Sequence, residues 1–330
     1  MTIRPIIAAA LAAAVAVPAA AQTELKFANF TPPFHTINAS VIEKLNEDLS
    51  AATNGEVTVR GYHGGELGAG PVEQYVRAVQ GAADIVWGLP GYTSSQFPKT
   101  MIAELPASIP DGKTGYDALW DAFDAGEMTS EFPGTKPLAL WTSEPNIFIM
   151  KDHDIRTPDD LAGLKVRVAG ATAAEVATAL GATPVQMPIS EVYTALETGL
   201  IDGVITGAST LSDFKLDEVA NSYTTGAPLG RLVFYTVMNQ GAYDGLSDEQ
   251  KAALDEASGR ALSQSAEEAW LATADSALQA AADAGNNTII ELSEDEAQAF
   301  EDLVEPVTQS YIDSVDGQAA ADAMAQSASN

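Results

Sequence analysis

EQYVRAVQGAADIV (residues 73–86) and EVYTALETGLIDGV (residues 191–204) spell one pattern twice: E-x-Y-x(5)-G-x-x-D-x-V. Each copy has apolar residues at helical spacing, a glycine stop, and then a short apolar run of strand character. Upstream of the first copy lie a strand at LKFAN (25–29), an amphipathic helix at INASVIEKLNEDLSAAT (37–53) closed by Asn54-Gly55, and an alternating strand at EVTVRGY (56–62). The glycine-rich HGGELGAG and Pro71 then lead into the helix VEQYVRAVQ and the strand ADIVWG (83–88). Around the second copy the order returns: strand LKVRVAG from 164, helix AAEVATAL, strand TPVQM, helix EVYTALE with Ser190 as N-cap, and strand DGVIT. Two β-α-β-α-β units imply two parallel sheets flanked by helices. Chance likeness between amphipathic units is the competing explanation; two related lobes is the reading we adopt.

The remaining segments fit around these units. YDALWDAFDAG reads as a helix leaving through Pro133-Gly134, and LALWTS, NIFIM and RLVFYTVMN read as strands. Residues 247–285 are helix-forming almost throughout, with a possible break at Gly259, and are long enough to lie across both lobes. The final QAAADAMAQSASN is expected to fray. At the start, MTIRPIIAAALAAAVAVPAAAQ has one basic residue, an apolar run and a small-residue Ala19-Ala20-Ala21 site, a secretory signal cleaved before about Gln22. Its apolar run is shorter than the ~20 residues of a membrane-spanning helix.

Composition narrows the function. Sixteen Lys plus Arg against 46 Asp plus Glu leave a formal charge of -30, which argues against nucleic acid or an anionic membrane as partner. With no cysteine, disulfides and thiol chemistry are excluded. The three histidines, His35, His63 and His153, lack metal-ligand spacing, so neither metal nor cofactor is expected. G-x-S-x-G is absent; the loop 63–70 lacks the Walker lysine and reads as a cleft loop; Asp159-Asp160 reads as helix capping. No enzyme is indicated.

Arg167 stands out. In LKVRV the period of two sets Leu164, Val166 and Val168 on one face and Lys165, Arg167 and Ala169 on the other. It either faces solvent or a carboxylate of the chain, or it meets a ligand, since it lies near the carboxyl end of its strand, where ligands bind in parallel sheets.

LKFAN, GGELGAGPVEQYVRAVQGAADI, TPDDLAGLKVRVAG, LGATPVQMPISEVYTALETGLIDG and NQGAYDGLSDEQKAAL are together similar to the solute-binding subunits of TRAP transporters, the DctP type, over essentially the whole mature length. The resemblance implies an α/β, two-lobed periplasmic binding protein fold of type II-like character, with hinge strands near 144–150 and 229–237 and a long helix spanning both lobes. We expect lobe I at 22–145 with about 232–270 and lobe II at 146–231 with about 271–330, after the signal at 1–21. It also implies a monomeric periplasmic receptor that closes on a small organic acid and delivers it to the TRAP membrane subunits. The alternatives are a binding protein of another importer and an exported enzyme on the same fold.

In the family an arginine of the motif LKxRV holds the ligand's carboxylate, and Arg167 occupies that place. Departures from members with polar ligands, such as sialic acid receptors, suggest the rest of the site. Asn146-Ile147 stands where those carry a second arginine, Leu89 and Tyr92 where they carry Glu and Arg, Phe30 and Thr206 where they carry Asn, and Ile189 at a frequent Phe position. With Trp87 nearby, these imply an apolar, aromatic cleft for a monocarboxylate with an aromatic or branched body.

Overall fold

A computed structural model describes residues 22–326. The expected signal at 1–21 and the last residues of the tail, 327–330, lie outside them. Eleven strands are formed by the described residues: β1 (Thr23–Ala28), β2 (Val57–Tyr62), β3 (Ile85–Gly88), β4 (Thr135–Thr142), β5 (Asn146–Met150), β6 (Lys165–Val168), β7 (Thr183–Gln186), β8 (Gly203–Gly207), β9 (Ser222–Thr225), β10 (Val233–Asn239) and β11 (Thr288–Glu291). They make two sheets, ordered β2-β1-β3-β10-β4 and β11-β9-β5-β8-β6-β7.

Read from β7, the second sheet repeats the first: β2, β1 and β3 correspond to β7, β6 and β8, all parallel, and β10 and β4 correspond to β5 and β9. The duplicated sequence pattern builds the same joint in both. Gly81 and Gly199 take φ of 70° and 71°, left-handed values that glycine adopts without steric cost. The motif aspartates then cap the neighbouring strand, Asp84 accepting from Lys26 N at 2.8 Å and Asp202 from Lys165 N at 2.7 Å. The shared letters therefore have a shared structural task, which favours related lobes over chance.

The antiparallel strand of each sheet arrives from the other sheet. Ser143 to Pro145 carry the chain from β4 to β5, and residues 226–232 carry it back from β9 to β10. The two crossings run side by side: Ser143 N donates to Leu232 O at 2.8 Å and Asn146 N to Gly230 O at 2.9 Å. A third link is the helix Gly259–Ala284, whose Leu262, Ala266 and Trp270 pack with Phe27, Leu45 and Trp141 under the first sheet. Its Ala274, Ala277 and Ala281 pack with Ile147, Leu196 and Tyr223 under the second. At 1.5 Å per residue it is about 39 Å long.

The break at Gly259 is present: Ser258 is extended and Gly259 left-handed between the helices Asp248–Glu256 and Gly259–Ala284. Two local expectations change. The helix of the second repeat starts at Ile189 with Pro188 as its N-cap, so Ser190 lies inside the first turn. The tail is not frayed as far as Ala325: Gln318–Ala325 is helical, and Ala320, Ala323 and Met324 are buried with Leu119 and Trp120 of the helix Gly115–Asp124. The helix Gln318–Ala325 thus packs beside the first sheet.

Candidate functional site

Arg167 sits on β6 between Val166 and Val168, which are buried among Phe148, Leu161 and Val176. Alternation turns its side chain to the other face, where it is only 1% exposed. Its Nε donates to Met187 O at 2.9 Å and one terminal nitrogen donates to Tyr92 Oη at 3.4 Å. No carboxylate of the described residues pairs with it. Burial lowers its pKa and the Tyr92 hydroxyl works the other way, but a guanidinium remains charged at neutral pH. A fully buried cation whose fork is only partly used is costly unless an anion meets it.

Tyr92 comes from the first sheet's side, on the short 3-10 helix Pro90–Gln96 directly after β3. Its hydroxyl oxygen also accepts from Ile189 N at 3.0 Å, the first residue of the helix Ile189–Glu197. One phenol therefore bridges the two sheets' territories and leaves its own proton to donate. Nearby, the Thr172 hydroxyl donates to Glu104 Oε2 at 3.0 Å, while Glu104 Oε1 accepts from Val233 N at 3.2 Å. Gly170 lies against the backbone of Gly91. The lobes are in close contact over the cleft.

Between them is a narrow cavity walled by residues of both lobes. Phe30, Trp87, Leu89, Tyr92, Arg167, Ile189 and Thr206, all expected from the sequence, line it together. Phe30 stacks on Trp87 with centroids 4.6 Å apart, and Trp87 is held by its indole N–H to Asn29 Oδ1 at 2.9 Å. The Thr206 hydroxyl is buried and has no partner among the described residues.

Asn146 is not among the residues lining the cavity: its amide nitrogen donates to Leu229 O at 3.2 Å in the paired crossings, and its buried Oδ1 has no partner among the described residues. The glycine-rich loop 63–70 is likewise absent from the cavity wall; Arg77 ties it down through Ala69 O at 2.5 Å and Gly70 O at 3.2 Å. Asp160 does cap, accepting from Thr157 N at 2.8 Å.

The sequence reading missed His35, Asp213, Phe214 and Trp270, which line the same cavity. Burial pushes the His35 pKa down to about 3 and the Asp213 carboxyl up to about 6, the latter against hydrogen bonding from Thr36. At neutral pH His35 is therefore uncharged, and its 3.6 Å approach to Asp213 is not an ion pair. Among the described residues Arg167 is the one cation of the wall.

The sequence model of DctP, bacterial extracellular solute-binding protein family 7, matches residues 27–314. The chain belongs to this family of TRAP solute-binding proteins. Its members are binding proteins and not enzymes. A curated relative, the C4-dicarboxylate-binding periplasmic protein DctP of Rhodobacter capsulatus, is 30% identical over 310 residues, 91% of this chain and 90% of its own. Among solved structures, a TRAP solute-binding protein of Rhodoferax ferrireducens in complex with copurified benzoate superposes with a TM-score of 0.86 at 28% identity, covering 92% of this chain and 96% of that one. A TRAP periplasmic solute-binding protein of Bordetella bronchiseptica with bound (R)- and (S)-mandelate gives 0.81 at 28% identity, covering 92% and 97%. The DctP-family architecture explains the cleft: two lobes, paired crossings and one helix beneath both.

Proposed function

We propose that this DctP-family receptor binds a small monocarboxylate with an aromatic or branched apolar body in the cleft and delivers it from the periplasm to the TRAP membrane subunits. The observation that carries the reading is the buried Arg167 guanidinium, without a carboxylate of its own, opening with the Tyr92 hydroxyl onto a wall that is otherwise mostly apolar and aromatic. A carboxylate there accepts from the free N–H groups of the fork and from the phenol. The ligand's apolar body gains about 25 cal/mol per Å² removed from water and packs against Phe30 and Trp87. Closure about the paired crossings excludes water and strengthens the charged contact.

The relatives and structural neighbours named above bind carboxylates of different kinds, and the wall favours the aromatic acids. A dicarboxylate would have one charge at Arg167 and no second cation, and Asp213 would repel it. A uronate would bury hydroxyls with few partners, at a cost of ~1–3 kcal/mol each.

A thermal-shift panel tests the reading. Benzoate, mandelate and branched 2-hydroxy or 2-oxo acids are expected to stabilise the protein, whereas succinate and uronates are not. Stabilisation by succinate or a uronate with no response to the monocarboxylates overturns it.

A further inference from the structure

Carboxylate binding at Arg167 leaves a second polar point of the cavity unexplained. His35 reaches the wall from the loop after β1, and Asp213 from the short helix Thr210–Asp213. Their surroundings are aromatic: the His35 ring centroid lies 5.4 Å from Trp87, 5.1 Å from Phe214 and 5.6 Å from Trp270.

The hydrogen-bond roles of both groups follow from their neighbours. His35 Nδ1 accepts from Ile37 N at 3.1 Å, so the neutral ring carries its proton on Nε2. That Nε2–H lies 3.6 Å from Asp213 Oδ2, beyond a good hydrogen bond. Asp213 Oδ1 accepts from Thr36 N at 3.1 Å, while Oδ2 is buried and has no partner among the described residues. The residues are only 3% and 5% exposed, so water does not readily satisfy them from outside. A donor and an acceptor therefore stand side by side, both under-used, in a wall built of rings. Buried polar groups in that state are costly unless something meets them.

We propose that His35 and Asp213 recognise a hydroxyl on the ligand's body, so that the preferred solute is a hydroxylated aromatic monocarboxylate. This deepens, and rests on, the monocarboxylate reading given above. A hydroxyl is the small group that both accepts, here from His35 Nε2–H, and donates, here to Asp213 Oδ2. An oxygen about 2.8 Å from each atom bridges their 3.6 Å gap with ordinary hydrogen-bond lengths. An ammonium group would satisfy Asp213 but meet the Nε2–H proton head-on. A second carboxylate would satisfy His35 but face the Asp213 charge, and an unsubstituted ring would leave both groups unpaired. Arg167 has no ion pair with Asp213, so the carboxylate and hydroxyl positions are separate.

Calorimetry with benzoate, 3-hydroxybenzoate, 4-hydroxybenzoate and 3-(aminomethyl)benzoate tests the inference on the wild-type protein. At least one hydroxylated acid is expected to bind about 10- to 100-fold tighter than benzoate, the equivalent of the one or two buried hydrogen bonds gained. Asp213→Asn keeps the shape and an acceptor for Thr36 N, and it is expected to remove most of that preference while changing benzoate affinity far less. No hydroxyl preference in the wild type overturns the inference, and so does an equal loss for all ligands in Asp213→Asn. Tighter binding of the aminomethyl acid also overturns it. Because the wild-type comparison needs no variant, misfolding of Asp213→Asn does not rescue the idea. Benzoate binding without hydroxyl preference refutes this inference alone, whereas failure of every aromatic acid to bind refutes the monocarboxylate reading with it.

Discussion

Gly170→Ala is expected to weaken ligand binding by obstructing closure while leaving each lobe intact. Gly170 follows β6, in the second lobe, with φ of -153° and ψ of -172°, extended backbone that alanine adopts freely. A Cβ at this position would lie 2.5 Å from Gly91 O, 2.9 Å from Gly91 Cα and 3.0 Å from Gly91 C. Those atoms are backbone of the other lobe and cannot swing aside like the end of a side chain. Relief requires the lobes to stand further apart, which also lengthens the Tyr92 contacts with Arg167 and Ile189. Overpacking at such a contact costs ~1–3 kcal/mol, and since the open form does not carry it, the penalty appears as about 5- to 150-fold weaker affinity. Calorimetry measures that loss, and small-angle scattering at saturation should give a larger radius for the variant than for the wild type. Unchanged affinity refutes the reasoning. Loss of melting temperature without ligand, equal in free energy to the loss in affinity, refutes it as well, because Gly170 would then pack in the fold itself and not at a closing surface.

Two further changes probe the cleft and its acid groups. Arg167→Ala removes the cation from its carboxylate and is expected to weaken binding by ~2–5 kcal/mol, roughly 30-fold to several thousand-fold; an unchanged dissociation constant in calorimetry sinks the assignment. Glu104 is pushed up from the ordinary 4.5 to about 7 by burial, against hydrogen bonds from Val233 N and the Thr172 hydroxyl, so the folded chain holds a proton the unfolded chain has released. That contribution to stability is complete below about 4.5 and is lost as pH rises through about 7. Glu104→Gln should flatten the fall in melting temperature across this window, and an unaltered slope counts against it.

Periodicity and punctuation carried much of the fold. The glycine and aspartate of the duplicated pattern have local tasks, a left-handed stop and a cap on the next strand, so they leave a mark at fixed offsets. Arg167 was legible for the same reason: a charge between two valines in a strand breaks an expected pattern. β9 (SYTT) and β11 (TIIE) were not legible, since four residues with mixed polarity carry little period. The tail helix was misread because alanine-rich polarity looks solvent-exposed until Leu119 and Trp120 are placed beneath it. In the site, the resemblance put Asn146 among the ligand contacts; its amide nitrogen donates to Leu229 O, a partner 83 residues away, while its buried Oδ1 has no partner among the described residues. His35 and Asp213 are brought together only by the meeting of two lobes. No spacing rule connects them, and a histidine without ligand spacing looked inert for metal while its use as a hydrogen-bond donor left no trace in the sequence.

The strand exchange between the sheets has a consequence for biosynthesis. As the chain emerges from its N-terminus, β3 and β4 have no partner between them until β10 has followed, and one face of the helix Gly115–Asp124 stays uncovered until Gln318–Ala325 appears. The first lobe cannot be completed early and set aside while the rest is made, because its own hydrogen-bond ladder runs through residues produced much later. A shortened product would present naked strand edges and buried-type surface to its neighbours, a recipe for aggregation and proteolysis. Interleaving of this kind couples completion of the fold to completion of the polypeptide, and it postpones folding until almost the whole chain is available.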